Sequence, residues 1–129
     1  MTVLVALRID NFAIVETAEL EFETGLTALT GETGAGKSLV VDALLLALGE
    51  RAGADAIRAG AEQAEVTAVF DVAEVPAARA WLADNELDAG DECVLRRTVR
   101  ADGRSRSFVN GRPVAAGLLR ELGQRLVDI

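Results

Sequence analysis

Apolar residues dominate Val3 to Ile9, a stretch with strand character that stops at the turn-forming pair Asp10-Asn11. From Phe12 to Phe22 the pattern nearly alternates, with Ile14, Ala18, Leu20 and Phe22 set against Glu16, Glu19, Glu21 and Glu23. That period of two predicts a strand with one wet face. Thr24-Gly25 then turns the chain into Leu26-Thr27-Ala28-Leu29-Thr30, which reads as a short buried strand. A hairpin followed by a third strand of this kind predicts a mixed sheet, in which an antiparallel piece joins a core with parallel pairing.

The period changes after that. Leu39 to Leu48 is apolar on nearly every face of a helix, which predicts burial on several sides, with Gly49 as its C-terminal stop. Glu50 to Gly60 reads as a loop with at most one helical turn, and Glu65 to Val72 as a strand ending near Asp71. Val75 to Leu87 fits an amphipathic helix opened by Pro76. Glu92 to Arg100 and Arg104 to Asn110 predict a hairpin across Ala101-Asp102-Gly103, and Asn110-Gly111 is a second tight-turn signal. A helix over Val114 to Leu122 would end at Gly123, leaving Leu126-Val127-Asp128-Ile129 as the beginning of a strand.

The chemistry lies between the short buried strand and the first helix. Gly31-Glu32-Thr33-Gly34-Ala35-Gly36-Lys37-Ser38 matches the phosphate-binding pattern G-x-x-x-x-G-K-[ST]. Its glycines let the backbone approach an anionic ligand so that successive N–H groups meet phosphate oxygens. Lys37 would reach the β- and γ-phosphates and the Ser38 hydroxyl would sit on Mg²⁺. The helix that follows, from Leu39, would point the positive end of its dipole at the same charge. Lys37 is the only lysine in the chain, the other twelve basic residues being arginine, so a chance match is rare. The strand-loop-helix context is the one the motif requires. These features together predict an α/β phosphate-loop NTPase.

Composition narrows the setting. At 129 residues and 50% apolar, the chain can build one modest core but is short for a nucleotide hydrolase with all its parts. One cysteine, Cys93, and no histidine exclude a disulfide framework or a multi-cysteine metal site and favour a reducing, cytoplasmic setting. The first residues lack the pattern of an export signal, and the longest apolar run is broken by Asp42 and too short to span a bilayer. The net charge of −8 argues against a protein that coats nucleic acid generally, yet Arg96 to Arg125 holds eight arginines against Asp102 and Glu121, a local +6. Arg96, Arg97, Arg100, Arg104, Arg106 and Arg112 could form a strip that meets DNA phosphates; the plainer reading is a solvated hairpin balanced by the acidic remainder. Phe108 is the lone aromatic there for base stacking.

Hydrolysis needs a second element, an apolar strand ending in an Asp that holds Mg²⁺. Val66 to Asp71 and Leu126-Val127-Asp128 come near it, but an Asp at a strand end is more often a turn former. Cys93 and Trp81 read as packing residues.

Four stretches together resemble the RecN family of bacterial DNA-repair ATPases, which is similar to the structural-maintenance-of-chromosomes (SMC) proteins and has ABC-type heads. They are Leu7 to Ile14, Leu26 to Ser38, Leu48 to Ala52 with Ile57 to Gly60, and Arg96-Arg97 through Asp102-Gly103-Arg104-Ser105 to Val114. The resemblance covers essentially the whole chain and implies that residues 1–129 are the amino-terminal part of a split head. A coiled coil and the carboxy-terminal half, with the signature loop and the metal-binding Asp and catalytic Glu, would then lie elsewhere.

The resemblance further implies ATP on Gly31 to Ser38 and Leu39, Mg²⁺ at Ser38, and a second head closing over the γ-phosphate as a homodimer. It implies a role in DNA double-strand-break repair near the nucleoid, with hydrolysis only when the missing half and a second head are present. Such heads often set the hairpin at Asn11 and Phe12 against the adenine, although Phe12 serves equally well as core. They place a basic residue near nucleotide or DNA where Arg51 and Arg58 stand, for which plain solvation is the simpler reading. Two other classes remain open. A self-sufficient small phosphate-loop kinase would use the arginine-rich hairpin as a lid. A non-hydrolysing, nucleotide-dependent scaffold would need Lys37 for binding and release no phosphate.

Overall fold

The computed structural model describes residues 4–12, 15–21, 34–50 and 56–127, with the backbone alone for residues 15, 34–39 and 127. Six strands, β1 (Leu4–Phe12), β2 (Val15–Glu21), β3 (Gln63–Asp71), β4 (Glu92–Arg100), β5 (Ser105–Val109) and β6 (Arg112–Val114), form one sheet. The strands run in the order β2-β1-β3-β4-β5-β6. Every pairing in it is antiparallel. Three helices complete the described residues: α1 (Gly34–Ala47), α2 (Pro76–Asp84) and α3 (Ala116–Val127).

Strand parity decides which residues enter the core. Leu7, Ile9, Val66, Phe70, Leu95 and Val99 share one face and are all buried. α1 lies against β1, β3 and β4, α3 lies against β5, and α2 packs on α3. The opposite face carries Glu19, Arg8, Thr67 and Arg96 in one cross-strand row and Thr17, Asp10, Glu65, Thr98 and Arg106 in the next. One wet face and one packed face is the ordinary state of an antiparallel sheet.

Several expectations from the sequence are corrected by this architecture. β1 continues past the turn signal, through Asp10-Asn11 to Phe12, with Asn11 at a φ of 53°. α3 runs straight through Gly123, and Leu126-Val127 is its last turn rather than the beginning of a strand. The reason is packing: a Cβ on Gly123 would stand 2.8 Å from the Leu48 carbonyl oxygen, so the glycine is where α3 touches α1, not where it ends. α1 is less enclosed than expected, since Val41 and Leu45 are 39% and 44% exposed beside exposed Asp42. The Asn110-Gly111 signal is met by φ values of 49° and 85°, a primed turn between β5 and β6. Asn110 secures it by accepting from Val94 N–H at 2.8 Å and donating to the Leu87 carbonyl at 2.7 Å.

The segment Leu26–Thr30, on which a parallel pairing depends, lies outside the described residues, as do Gly31, Glu32, Thr33, Arg51 and Asp128.

Candidate functional site

α1 begins at Gly34, inside the phosphate-loop motif and five residues before the apolar run that announced it. The first amides of a helix have no partner within it, and no acidic residue occupies the first turn of α1, so this end favours an anion. The backbone of Gly34, Ala35, Gly36, Lys37, Ser38 and Leu39 forms that first stretch of helix.

The other end of α1 is closed unusually firmly. Gly49 has a φ of 102°, a region that favours glycine. Gly49 N–H donates to Leu46 O at 3.1 Å and Glu50 N–H to Leu45 O at 3.1 Å. These two bonds make a Schellman cap. Arg97 reaches the same turn from β4, with Nη1 donating to Leu46 O at 3.1 Å and to Glu50 O at 2.9 Å. From α3, Arg120 Nη2 donates to Gly49 O at 3.4 Å. Cations are favoured at a helix C-terminus. Burial, and then the charge of Arg120, pull the Arg97 guanidinium below its ordinary value.

That placement corrects the basic strip. Arg97 is only 4% exposed and faces α1, so it cannot meet DNA. Arg112 pairs in register with buried Val109, on the helix-covered face, and donates to the Glu86 carbonyl. The residues that share the open side are Arg96, stacked 4.2 Å over the Phe108 ring, and Arg106 opposite Thr98. Arg100 and Arg104 flank them at the hairpin end and share Asp102, at 3.8 and 3.5 Å. At the far side of the same face Arg8 is tied to Asp10 at 3.0 Å and Glu19 at 2.7 Å, so that region is neutralised. Its hydrogen bond to Asp10 and the two carboxylate charges hold the Arg8 guanidinium above its ordinary value.

The structure brings Asn11, Phe12 and Arg58 together: Arg58 N–H donates to Asn11 O at 2.8 Å, and Phe12 bridges to Ile57. Phe12 is buried core, which favours packing among its alternative readings. Asp71 is exposed and its Oδ1 accepts from Ala73 N–H at 3.0 Å, the behaviour of a turn former. Among the described residues no cluster of three or more carboxylate, cysteine or histidine side chains could hold a metal ion. No described helix is long and apolar enough to cross a membrane. Cys93 is buried and Trp81 nearly so, as packing residues should be. The residues that sequence reasoning did not assign to α1 are Arg97 and Arg120. A signal for Arg97 was present, because it stands in the inward register of Cys93, Leu95 and Val99.

Comparison with known proteins agrees with this architecture. The model of the AAA domain family matches residues 6–111. The DNA repair protein RecN of Vibrio cholerae is 50% identical over 123 residues, and that of Xylella fastidiosa strain Temecula1 is 51% identical over 123 residues. Each alignment covers 95% of this chain and 22% of the relative, so the chain spans about a fifth of the length of these proteins. Among solved structures, an SMC ATPase studied for ATP-driven dimerization and DNA-stimulated activation superposes with a TM-score of 0.72 at 28% identity. That match covers 95% of this chain and 78% of the other. The fold is therefore that of the N-terminal part of an SMC-type ATPase head, its sequence is similar to the RecN DNA repair proteins, and the chain belongs to the AAA domain family.

Proposed function

We propose that this chain is the ATP-binding part of a DNA double-strand-break repair ATPase whose heads engage when ATP is bound. The observation that carries the reading is the start of α1 inside the phosphate-loop motif, on a sheet of the SMC-head type. Gly31, Glu32, Thr33, Gly34, Ala35 and Gly36 supply backbone amides to the phosphates, Lys37 neutralises the β- and γ-phosphates, and Leu39 continues the helix behind them. The Ser38 hydroxyl would hold Mg²⁺, which when bound would supply further neutralisation of phosphate charge. The donor set fits a nucleotide phosphate, being a helix start free of acidic residues with one lysine at the required spacing, and it offers Mg²⁺ one oxygen ligand, the Ser38 hydroxyl. Asn11 lies on the adenine side, where its contact with Arg58 ties the β1 end to the segment following α1.

Residues 1–129 act in this reading as the amino-terminal part of a split head. The carboxy-terminal half covers the exposed Val41 and Leu45 strip of α1 and brings the metal-binding and catalytic carboxylates. A second head closes over the γ-phosphate, so that bound ATP holds the dimer together and hydrolysis releases it. DNA meets the outward arginines Arg96, Arg100, Arg104 and Arg106 near the engaged heads, in the cytoplasm at the nucleoid. The kinase alternative loses its structural basis, because the arginine-bearing hairpin is part of a continuous sheet rather than a lid.

The test is MgATP binding by calorimetry and head association by sedimentation, both in the natural full-length protein. Lys37→Ala is expected to abolish binding and ATP-dependent association together. Retention of wild-type affinity by Lys37→Ala, or ATP binding without any change in association, would refute the reading.

A further inference from the structure

Arg97 is a buried cation with no carboxylate partner among the described residues, on a strand where its inward neighbours are Cys93, Leu95 and Val99. Such a placement is costly unless the charge is well used. Its contacts are all with one turn of one helix and the adjoining hairpin. Nη1 binds Leu46 O and Glu50 O, Nη2 binds Ser105 Oγ at 3.4 Å, and buried Nε has no partner among the described residues.

The end of α1 needs no such cation simply to terminate. Gly49 and Glu50 already satisfy Leu46 O and Leu45 O through the Schellman bonds. What Arg97 adds is fixation. A planar guanidinium bonded to two carbonyls that straddle the cap sets where α1 ends along its own axis and how it is rotated against β4.

α3 adds a second constraint of a different kind. A Cβ on Gly49 would lie 2.8 Å from Arg120 N, and one on Gly123 would lie 2.8 Å from Leu48 O, so the turn that caps α1 meets α3 backbone to backbone. Arg120 then donates to Gly49 O beside Arg97. The last turn of α1 cannot shift without disturbing both the sheet and α3. Because a helix of this length is a rigid rod of about 20 Å, fixing one end fixes the position of the other. The other end is Gly34 in the phosphate loop.

We infer that Arg97, seconded by Arg120, is a positioning residue for the nucleotide: it clamps the C-terminus of α1 so that the loop at its N-terminus is held in the phosphate-binding geometry. The inference rests on the reading of that loop given under the proposed function. Lysine replaces Arg97 only in part: one ammonium can bind the two carbonyls that Nη1 holds, but it has no second, rigidly placed nitrogen for Ser105 Oγ. Arg120, at longer range and on the exposed side of the junction, contributes less.

The experiment measures MgATP affinity per folded molecule in the full-length protein for Arg97→Met, Arg97→Lys, Arg120→Met and the control Leu82→Ala. Leu82 is buried in α2, which packs on α3, and it takes no part in the hydrogen bonds to the end of α1, so its truncation lowers stability while leaving those bonds in place. Arg97→Met is expected to weaken MgATP at least tenfold, Arg97→Lys to recover part of that loss, and Arg120→Met to weaken it about threefold. Leu82→Ala should lower the melting temperature with affinity within about twofold of wild type. Amide hydrogen exchange on the same proteins should show faster exchange along α1 in Arg97→Met, with α2 unchanged. Wild-type affinity in folded Arg97→Met, or an affinity loss matched by Leu82→Ala, would overturn the inference. If the wild type itself binds no MgATP, the reading of the loop fails, and the exchange rates in α1 still decide whether the clamp exists.

Discussion

Four glycine-to-alanine substitutions separate the terms that hold α1 to α3. Gly117 lies in α3 with nothing within 4 Å of the position a methyl would take, so alanine there gains helix propensity and stabilises by about 0.5 kcal/mol. Gly123 lies in the same helix, but its Cβ would meet Leu48 O at 2.8 Å and Leu48 Cβ at 3.2 Å. An ordinary carbon-oxygen contact is about half an ångström longer, and forcing one methyl into a packed junction costs about 1–3 kcal/mol. The propensity gain offsets only part of that. Gly123→Ala should therefore destabilise by about 1–2 kcal/mol, the opposite sign from Gly117→Ala. Gly111, at a φ of 85° in open space, isolates the backbone cost, about 1–2 kcal/mol. Gly49, at a φ of 102° with Arg120 N at 2.8 Å, combines backbone and steric costs and should be the worst of the four, at about 2–5 kcal/mol. Equilibrium urea unfolding reads these differences as midpoint shifts, on the order of 0.5–1 M for Gly123→Ala. If Gly123→Ala proves as stable as wild type or more so, with the same dependence on urea, the close approach of α1 and α3 is not real and the clamp loses its second arm.

Two further outcomes follow from side-chain placement. Arg97 and Arg112 are directed elsewhere, so under the proposed function the open side presents four arginines to DNA, and Arg104→Glu with Arg106→Glu should flatten the slope of log affinity against log salt by about 2, as read by fluorescence anisotropy; an unchanged slope would remove this face from any DNA contact. Burial pushes the Cys93 thiol from 9.0 up to about 12, so the folded state keeps its proton while the unfolded chain ionises, and this contribution to stability is present below pH 9 and declines as pH rises toward 12. Between pH 9 and 10 the wild type should lose about 1 kcal/mol more than Cys93→Ala in urea unfolding, and equal losses would show that Cys93 does not titrate this way.

Local patterning alone makes most of the described elements legible. The alternation in Glu65 to Val72 and Glu92 to Arg100 reflects a real difference between the two faces of the sheet, and Asn110-Gly111 encodes its turn in backbone preference alone. The errors occur where a residue's local meaning is overridden by a distant partner. Gly123 looks like a helix stop, and would be one in isolation, but Leu48, far away in sequence, demands the absence of a side chain there. Asp10-Asn11 looks like a turn, yet β3 pairs with β1 through Asp10 and carries the strand past it, leaving only Asn11 in the left-handed region. β6, only three residues long, has too little pattern of its own and exists because β5 supplies its partner.

The start of α1 carries a sequence signal and its far end carries none, for the same reason. A phosphate loop states its chemistry in consecutive residues, because one short stretch of backbone supplies most of the ligand contacts. The end of α1 is held by residues from β4 and α3 that lie 51 and 71 positions from the carbonyls they bind. Composition actively misleads there, since it merges Arg96 and Arg97 into one basic run. On a strand, adjacent residues face opposite ways, so a single step along the chain separates a solvent-facing cation from a buried one. Arg96 keeps its charge outward over Phe108, while Arg97 turns its charge to the end of α1. The Arg-Arg pair thus places the outer face of the sheet and the end of α1 one residue apart on the same strand.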